Sequence, residues 1–450
     1  MRPQTAATTL NLTASSTLTI SAMENGVEHD HDVCGVGFKH LTSVDGALKA
    51  VIAKIPDAPL PSERVQPEAA LGRVLSDDIV SPADAPPFDR AAMDGFAVNA
   101  EDTYGATNSA PVMLKLIGKV DIGTVPRFRV QKGEASTIVT GGRMPEGADA
   151  VVMVEHTKSR SDGMVEIWDD VHPAENVAHK GEDVQKGTVV LRKGTRILPQ
   201  DIGMMKHLGV NDVHVVRKPL VAVLSTGNEL QEGRVSEGKV PDVNRPILLS
   251  ALRELGCETI DLGAAPDEPR QIKQGLQRGL GEADITLVTA GTSVGPEDNI
   301  PRIINSLGKP GMIVHGVAMR PSMPTGLAVV NGKPLVSLPG YPVSAYIAFL
   351  EFVRPLIAHI MGTDQMPTPA VTATLSRRIT GVLGSKTYVR VRVIAKKEGV
   401  IAEPVRTSGA GILSSLVKAN GFVIVPENVE GYEEGHMVSV ELFRPCEREP

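Results

Sequence analysis

At 450 residues, 42% of them hydrophobic and 22% charged, the chain has the size and composition of a globular protein with about three or four separate cores. Its net charge of −7 gives no basic surplus for gripping nucleic acid, although a local pocket for one small anion is compatible with it. The three cysteines, Cys34, Cys257 and Cys446, are too scattered for a disulfide framework or a CxxC metal knuckle, which fits a reducing cytoplasm.

Residues 1–40 are expected to be a flexible tail. The first 28 are rich in Thr, Ser and Ala without periodicity, and they lack the charged start and apolar core of a signal peptide. His29, His31, Cys34 and His40 match no standard metal-site spacing and read as the polar end of that tail. No apolar run approaches the roughly 18 residues of a membrane span, so no membrane is expected. Ser43 then opens an amphipathic helix with Val44, Ala47, Leu48, Val51 and Ile52 on one face, and Pro56 stops it.

From Glu63 to Val80 the pattern predicts a short strand, a helix over residues 68–75 and a second extended piece, leading into the run Ala91–Ala97. There Asp94-Gly95 is either an ordinary turn or a carboxylate presented to a ligand. Residues 111–179 are short β-branched runs between Gly and Pro turns, the pattern of a small β domain. Turn-linked strands and a helix over 200–209 follow. The segment before the β domain is too small to bury a good core alone. The β domain, 109–179, is therefore expected to interrupt one elongated domain made of residues 41–108 and 180–217.

Residues 218–363 alternate strand and helix. The predicted strands are 220–226, 258–263, 285–291 and 312–319, then 326–330 and 334–340 around the Asn331-Gly332 turn. The predicted helices carry Ile247, Leu248, Ala251, Leu252 and Leu255 on one face, then Ile272, Leu276 and Leu280; a third runs from Val343 to Met361. This is an open, mostly parallel α/β sheet with helices on both faces, for which a ligand lies beyond the carboxyl ends of the strands. Residues 364–450 revert to strands and make a second all-β domain, with helical character only at 411–420.

Polar residues cluster after those strand ends. The stretch Ile285–Ile300 ends its strand in Gly291, Thr292, Ser293 and Gly295, then Asp298. Glycines there let backbone N–H groups approach a phosphate, and the carboxylate can hold a hard cation against it, although an ordinary strand-to-helix turn has the same look. Ser225, Thr226, Gly227 and Glu229 follow the first strand and Asp267 the second. Three carboxylates converging on one crevice suit Mg²⁺, which takes one or two of them and completes its shell with water and phosphate. Around the start of the next helix two readings stay open: Asn244 is simply its cap, or Asn244 belongs to the site with Asp242 reading a polar ring. Arg320 and Pro321 form a stiffened loop suited to an anion. Pro339, Gly340 and Ser344 lead into a helix whose N-terminus adds free N–H groups. No Ser-His-Asp or Cys-His set is visible, and His315 reads as a core residue.

Together these motifs resemble the molybdopterin molybdenumtransferase family, enzymes related to the E domain of gephyrin. The matching runs are AAMDGFA (91–97), TGGRMPEGADAVVMVE (140–155), KGEDVQKG (180–187), STGNEL, DVN, TAGTSVGPED, HGVAMRP, LPGYPVSA (338–345) and SSLVKANGF (414–422), in the family's order over roughly residues 41–445. The resemblance implies an elongated domain interrupted by a β domain, a molybdopterin-binding α/β domain and a C-terminal β barrel, in a homodimer with its site at the subunit interface. It implies molybdate and adenylylated molybdopterin as substrates, Mg²⁺ as the cation, AMP as a product and contact with the molybdopterin adenylyltransferase. By motif, Asp94, Thr140 and Asp183 would reach the site from the elongated part of the partner subunit. Glu229, Asp267 and Asp298 would manage metal and adenylate, and Arg390 and Ser415 would lie near the cleft from the barrel. Arg320 stands where Lys is common, Met323 where a second basic residue is usual, Thr292 where Gly or Val is, and Tyr341 where Asn is; the pattern is that of an archaeal-style variant. A non-catalytic pterin-binding or scaffold paralogue and a tungstate-preferring transferase remain the alternatives.

Overall fold

Ser43 caps the first helix by accepting a hydrogen bond from the Gly46 N–H, and Val44–Ile52 buries Val44, Ala47 and Val51. In the computed structural model, which describes residues 41–234, 236–290, 299–406 and 409–449, that helix packs on the antiparallel edge of the α/β sheet and joins its core. The tail and its histidines lie outside the described residues, as do Gly291, Thr292, Ser293, Gly295 and Asp298.

The elongated domain is stitched from segments on either side of the insertion. Ser62–Val65 pairs antiparallel with Val213–Val216, Ile79–Val80 with Val189–Leu191, and Arg90–Ala91 with Val177–Ala178. The helix expected over 68–75 does not form. A single 3-10 turn, Pro67–Ala70, gives way to Gly72 at φ +73°, a left-handed conformation that ends helices. Val74 and Leu75 are then drawn into bridges with Arg196 and Val215. The later helix forms as expected, at Pro199–His207, with Asp201 accepting from the Leu198 N–H.

The inserted domain is a six-stranded sheet in the order Ala150–Met153, Gly95–Val98, Glu134–Ile138, Val112–Val120, Met164–Ile167 and Thr157–Ser159. Gly95–Val98, which precedes residue 109 in the chain, is one of its inner strands. Gly95 is required there by close approach, since a Cβ would fall 1.9 Å from the Val152 carbonyl oxygen.

The α/β domain has strands β1 (Leu220–Thr226), β2 (Glu258–Ala265), β3 (Ile285–Ala290), β4 (Pro310–His315), β5 (Gly326–Val330) and β6 (Lys333–Pro339), in the order β2-β1-β3-β6-β5-β4. The first four in that order are parallel; β5 runs antiparallel to both β6 and β4, so it alone is reversed in the sheet. Helix α1 (Asn244–Glu254) and the last helix, α4 (Pro342–Ile360), cover one face; α2 (Pro269–Glu282) and α3 (Ile300–Asn305) cover the other. The chain leaves β1 to one side and returns to β3 on the other. Their carboxyl ends therefore open the crevice of a doubly wound fold. The strand expected over 312–319 ends at His315, because Gly316 turns at φ +96°. Met319–Arg320 pairs instead with Lys386–Thr387 of the C-terminal domain.

Helix α4 is long and apolar enough to cross a membrane, but 72% of that window is buried, as in the core helix of a folded domain. Its middle turn, Phe349–Val353, is a π segment. Pro355 follows; it lacks the N–H that would bond to Glu351 and so favours such a bulge. In the C-terminal domain Lys386–Lys396, Gly399–Arg406, Ala370–Leu375, Met437–Leu442 and Gly421–Val425 pair in turn, and the last returns to the first. This is the closed five-strand barrel expected at the C-terminus.

Candidate active site

The carboxyl ends of β1 and β2 hold the site's acidic rim. Ser225 and Thr226 are buried. The Ser225 hydroxyl accepts from Thr289 Oγ1 at 3.1 Å, the Thr226 hydroxyl donates to the Thr289 carbonyl at 3.3 Å, and the Gly227 N–H donates to the Ala265 carbonyl at 3.1 Å. These residues lock β1 to its neighbours. The exposed chemistry begins one step later, at Glu229. Gly227 sits at φ +154°, and a Cβ there would fall 2.7 Å from Glu229 Oε2. The glycine is what lets the carboxylate fold back against the chain.

Asp267 stands on the adjacent loop. Its Oδ2 accepts from the Asn228 N–H at 3.1 Å, while its own N–H donates to Asn228 Oδ1 at 3.0 Å. This reciprocal pair fixes the Glu229 and Asp267 loops side by side. Both carboxylates are exposed, and neither has an ion-pair partner among the described residues. Their oxygen-only donor set fits a hard divalent cation. No group of three His, Cys, Asp or Glu side chains is gathered for a metal among the described residues, and Asp298, the expected third ligand, lies outside them.

Asp242 is held by an arginine. Its side chain is 4% exposed, with Oδ2 accepting from Arg245 Nε at 2.9 Å and Oδ1 from the Arg245 N–H at 3.2 Å. Arg245 also bonds Asp261 at 2.5 Å and contacts Glu232. Burial would lower the pKa of that guanidinium; the bonds to Asp261 and Asp242 outweigh it and raise it above the ordinary value. The cluster anchors the start of α1. Asn244, 7% exposed, donates from Nδ2 to the Gly340 carbonyl at 2.7 Å and ties α1 to the loop after β6. Asn244 thus serves as a brace, not as the cap.

On the far side, Pro339 ends β6 beside Ala290. The Ser322 hydroxyl donates to the Ser344 carbonyl at 2.7 Å, which fastens the Arg320-Pro321 loop to the first turn of α4. Arg320 is exposed. The barrel reaches the same corner: the Ala410 carbonyl accepts from the Val343 N–H at 3.1 Å, and the Tyr341 ring lies against Gly411, where a Cβ would meet it at 3.1 Å. Arg390 and Ser415 are 1% and 2% exposed, and the Ser415 hydroxyl bonds the Ile412 carbonyl at 2.6 Å. Ser415 therefore shapes the 409–415 loop from inside.

Asp94 and Thr140 form a second centre on the inserted domain, with Asp183 exposed on the elongated domain. Asp94 Oδ1 accepts from the Thr140 N–H at 2.6 Å and its hydroxyl at 2.7 Å, and these two bonds hold the carboxyl below its usual range. The Asp183 N–H donates to the Ala85 carbonyl at 3.1 Å. Among the described residues no hydrogen bond or ion pair joins these groups to the α/β rim within one chain. Sequence reasoning missed Asn228, Arg245 and Gly411 as organisers. Only Asn228 carried a signal, its place between Gly227 and Glu229.

An interrupted elongated domain, a doubly wound domain with an acidic crevice and a closed barrel define a class of multidomain proteins built around a ligand-binding α/β unit. Comparison with known proteins matches residues 42–209 to the MoeA N-terminal region (domains I and II), 222–359 to a probable molybdopterin-binding domain and 372–443 to the MoeA C-terminal region (domain IV). A putative molybdopterin biosynthesis protein of Methanocaldococcus jannaschii is 35% identical over 90% of this chain and 99% of its own length. The molybdopterin molybdenumtransferase of Bacillus subtilis is 33% identical over 85% of this chain and 90% of its own. The crystal structure of a molybdopterin biosynthesis MoeA protein from Pyrococcus horikoshii superposes with a TM-score of 0.78 at 36% identity, covering 90% of this chain and all of that one. The chain belongs to the MoeA family of molybdopterin molybdenumtransferases.

Proposed function

We propose that this protein inserts molybdenum into adenylylated molybdopterin and releases AMP. The observation that carries this reading is the pairing of two exposed carboxylates, Glu229 and Asp267, on loops clamped together at the ends of β1 and β2. A structural ion pair would have given each a basic partner, and among the described residues neither has one. Glu229 and Asp267, with Asp298, would hold Mg²⁺, which supplies charge neutralisation where the adenylyl phosphates meet. Arg320 attracts the oxyanion, and the start of α4 adds its positive dipole end to the same corner. Asp94, oriented by Thr140, and Asp183 complete the cleft from a partner subunit, so the working unit is a homodimer. The substrate arrives from the molybdopterin adenylyltransferase in the cytoplasm.

The test is to mix purified protein with adenylylated molybdopterin, Mg²⁺ and either molybdate or tungstate, and to follow AMP release. Release with molybdate supports the transferase. Ligand binding without AMP favours a scaffold role, and release with tungstate alone assigns the other oxyanion.

A further inference from the structure

We infer that Asn228 is a positioning residue for Asp267, setting how that carboxylate meets its cation. This rests on the cation role proposed above for Glu229 and Asp267. Two bonds of opposite direction connect Asn228 and Asp267. The Asn228 backbone N–H occupies Asp267 Oδ2, and the Asn228 side-chain oxygen accepts from the Asp267 backbone N–H. One carboxylate oxygen is therefore committed. The other, Oδ1, has no hydrogen-bond partner among the described residues, which favours single-oxygen coordination. Lys239 Nζ bonds the Asn228 carbonyl as a third tie on the same residue. With Gly227 bonded to Ala265, the whole turn between β1 and Glu229 is fixed at both ends.

The consequence reaches both expected ligands, because Asn228 is covalently next to Glu229 and hydrogen-bonded to Asp267. Loosening it moves the two carboxylates apart. A side chain that cannot accept, as in Asn228→Ala, leaves the Asp267 N–H unpaired while keeping the backbone bond. Asn228→Asp retains an acceptor at the same place.

The full-length protein, titrated with Mn²⁺ in the presence of AMP and followed by electron paramagnetic resonance, tests this directly. Asn228→Ala is expected to weaken Mn²⁺ binding about tenfold, the usual scale for outer-shell losses. It should also raise the Mg²⁺ concentration needed for half-maximal AMP release, with the loss recovered at saturating Mg²⁺. Asn228→Asp should bring the affinity back. Native Mn²⁺ affinity in Asn228→Ala, together with its loss in Asp267→Ala, would overturn the positioning role and leave the cation reading intact. Equal losses in Asn228→Ala and Asn228→Asp would also overturn it. Native affinity in Asp267→Ala would remove the cation reading itself, and the positioning role with it.

Discussion

Thr140 gives Asp94 two hydrogen bonds to a single carboxylate oxygen, one from its backbone at 2.6 Å and one from its hydroxyl at 2.7 Å. The two residues are distant in sequence, and the antiparallel pairing of Gly95–Val98 with Glu134–Ile138 is what brings them together. Such a carboxylate is held charged and in one orientation.

Replacing Thr140 by Val removes the hydroxyl bond and keeps the backbone one, the larger cause of the Asp94 shift. The Asp94 carboxyl should then titrate higher, though still below its ordinary value, as a carbon-detected NMR titration would show. The sign follows from the lowered folded pKa. Asp94 stabilises the fold above its unfolded pKa of about 3.9, and that contribution disappears as pH falls through the folded value. AMP release by Thr140→Val should fall at least tenfold with pterin binding little changed. Unchanged turnover would exclude the pair from the site.

Arg245→Met tests whether Asp242 is a structural anchor. It leaves a carboxylate of 4% side-chain exposure without its partner, and removing one member of a buried pair costs about 3 kcal/mol. Burial raises the Asp261 carboxyl and the Arg245 bond and charge help hold it low, so without Arg245 Asp261 should titrate higher. Wild type gains from Asp261 above pH of about 3.9 and loses that gain as pH falls through the folded value. The gap in urea midpoint between wild type and variant should therefore be wide at pH 7 and narrow below pH 4.

The sequence made most of this architecture legible because the inner α/β strands are largely apolar, buried and end abruptly. Ile285–Ala290 is buried at every position, and its pattern admitted one reading. The failures share a cause: backbone geometry outvoted composition. Residues 68–75 have helical composition, but Gly72 turns left-handed; 312–319 reads as one strand, but Gly316 divides it and hands Met319–Arg320 to the barrel. Gly95–Val98 is too short for alternation to announce a strand. At the site, Glu229 and Asp267 stood out by charge. Asp242 stood out equally, and only its contact with Arg245 separates anchor from ligand. The place of Asn228 between Gly227 and Glu229 was a weak signal, because an amide beside a glycine is usual in turns.

Gly227→Ala would test the folded-back placement of Glu229. The new Cβ would fall within 2.8 Å of both carboxylate oxygens and at a backbone φ of +154° that side chains avoid. Glu229 must swing away. AMP release should drop at least tenfold, while the circular dichroism spectrum stays that of wild type. Retained activity would mean that Glu229 works from another position.

Lys386 joins the barrel to α4 through Glu351, at 2.8 Å and with the two side chains only 26% and 19% exposed. Lys386→Met should cost about 1–3 kcal/mol at neutral pH, because it leaves a half-buried carboxylate unpaired. Glu441 sets the pH dependence. Burial raises its carboxyl pKa, the Glu351 charge raises it further, and Lys386 opposes both; in the variant it should rise again. A raised folded pKa favours the protonated acid, so the fold loses stability as pH climbs from the unfolded value of about 4.3 through the folded one. The penalty of Lys386→Met should therefore grow between pH 4 and pH 7, opposite in origin to the Arg245 case though similar in direction. Melting midpoints across that range would show it, and a penalty independent of pH would mean that Glu441 does not sense Lys386. Because Met319–Arg320 pairs with the strand that begins at Lys386, the same variant should also loosen the Arg320 loop and weaken oxyanion binding without touching Glu229 or Asp267.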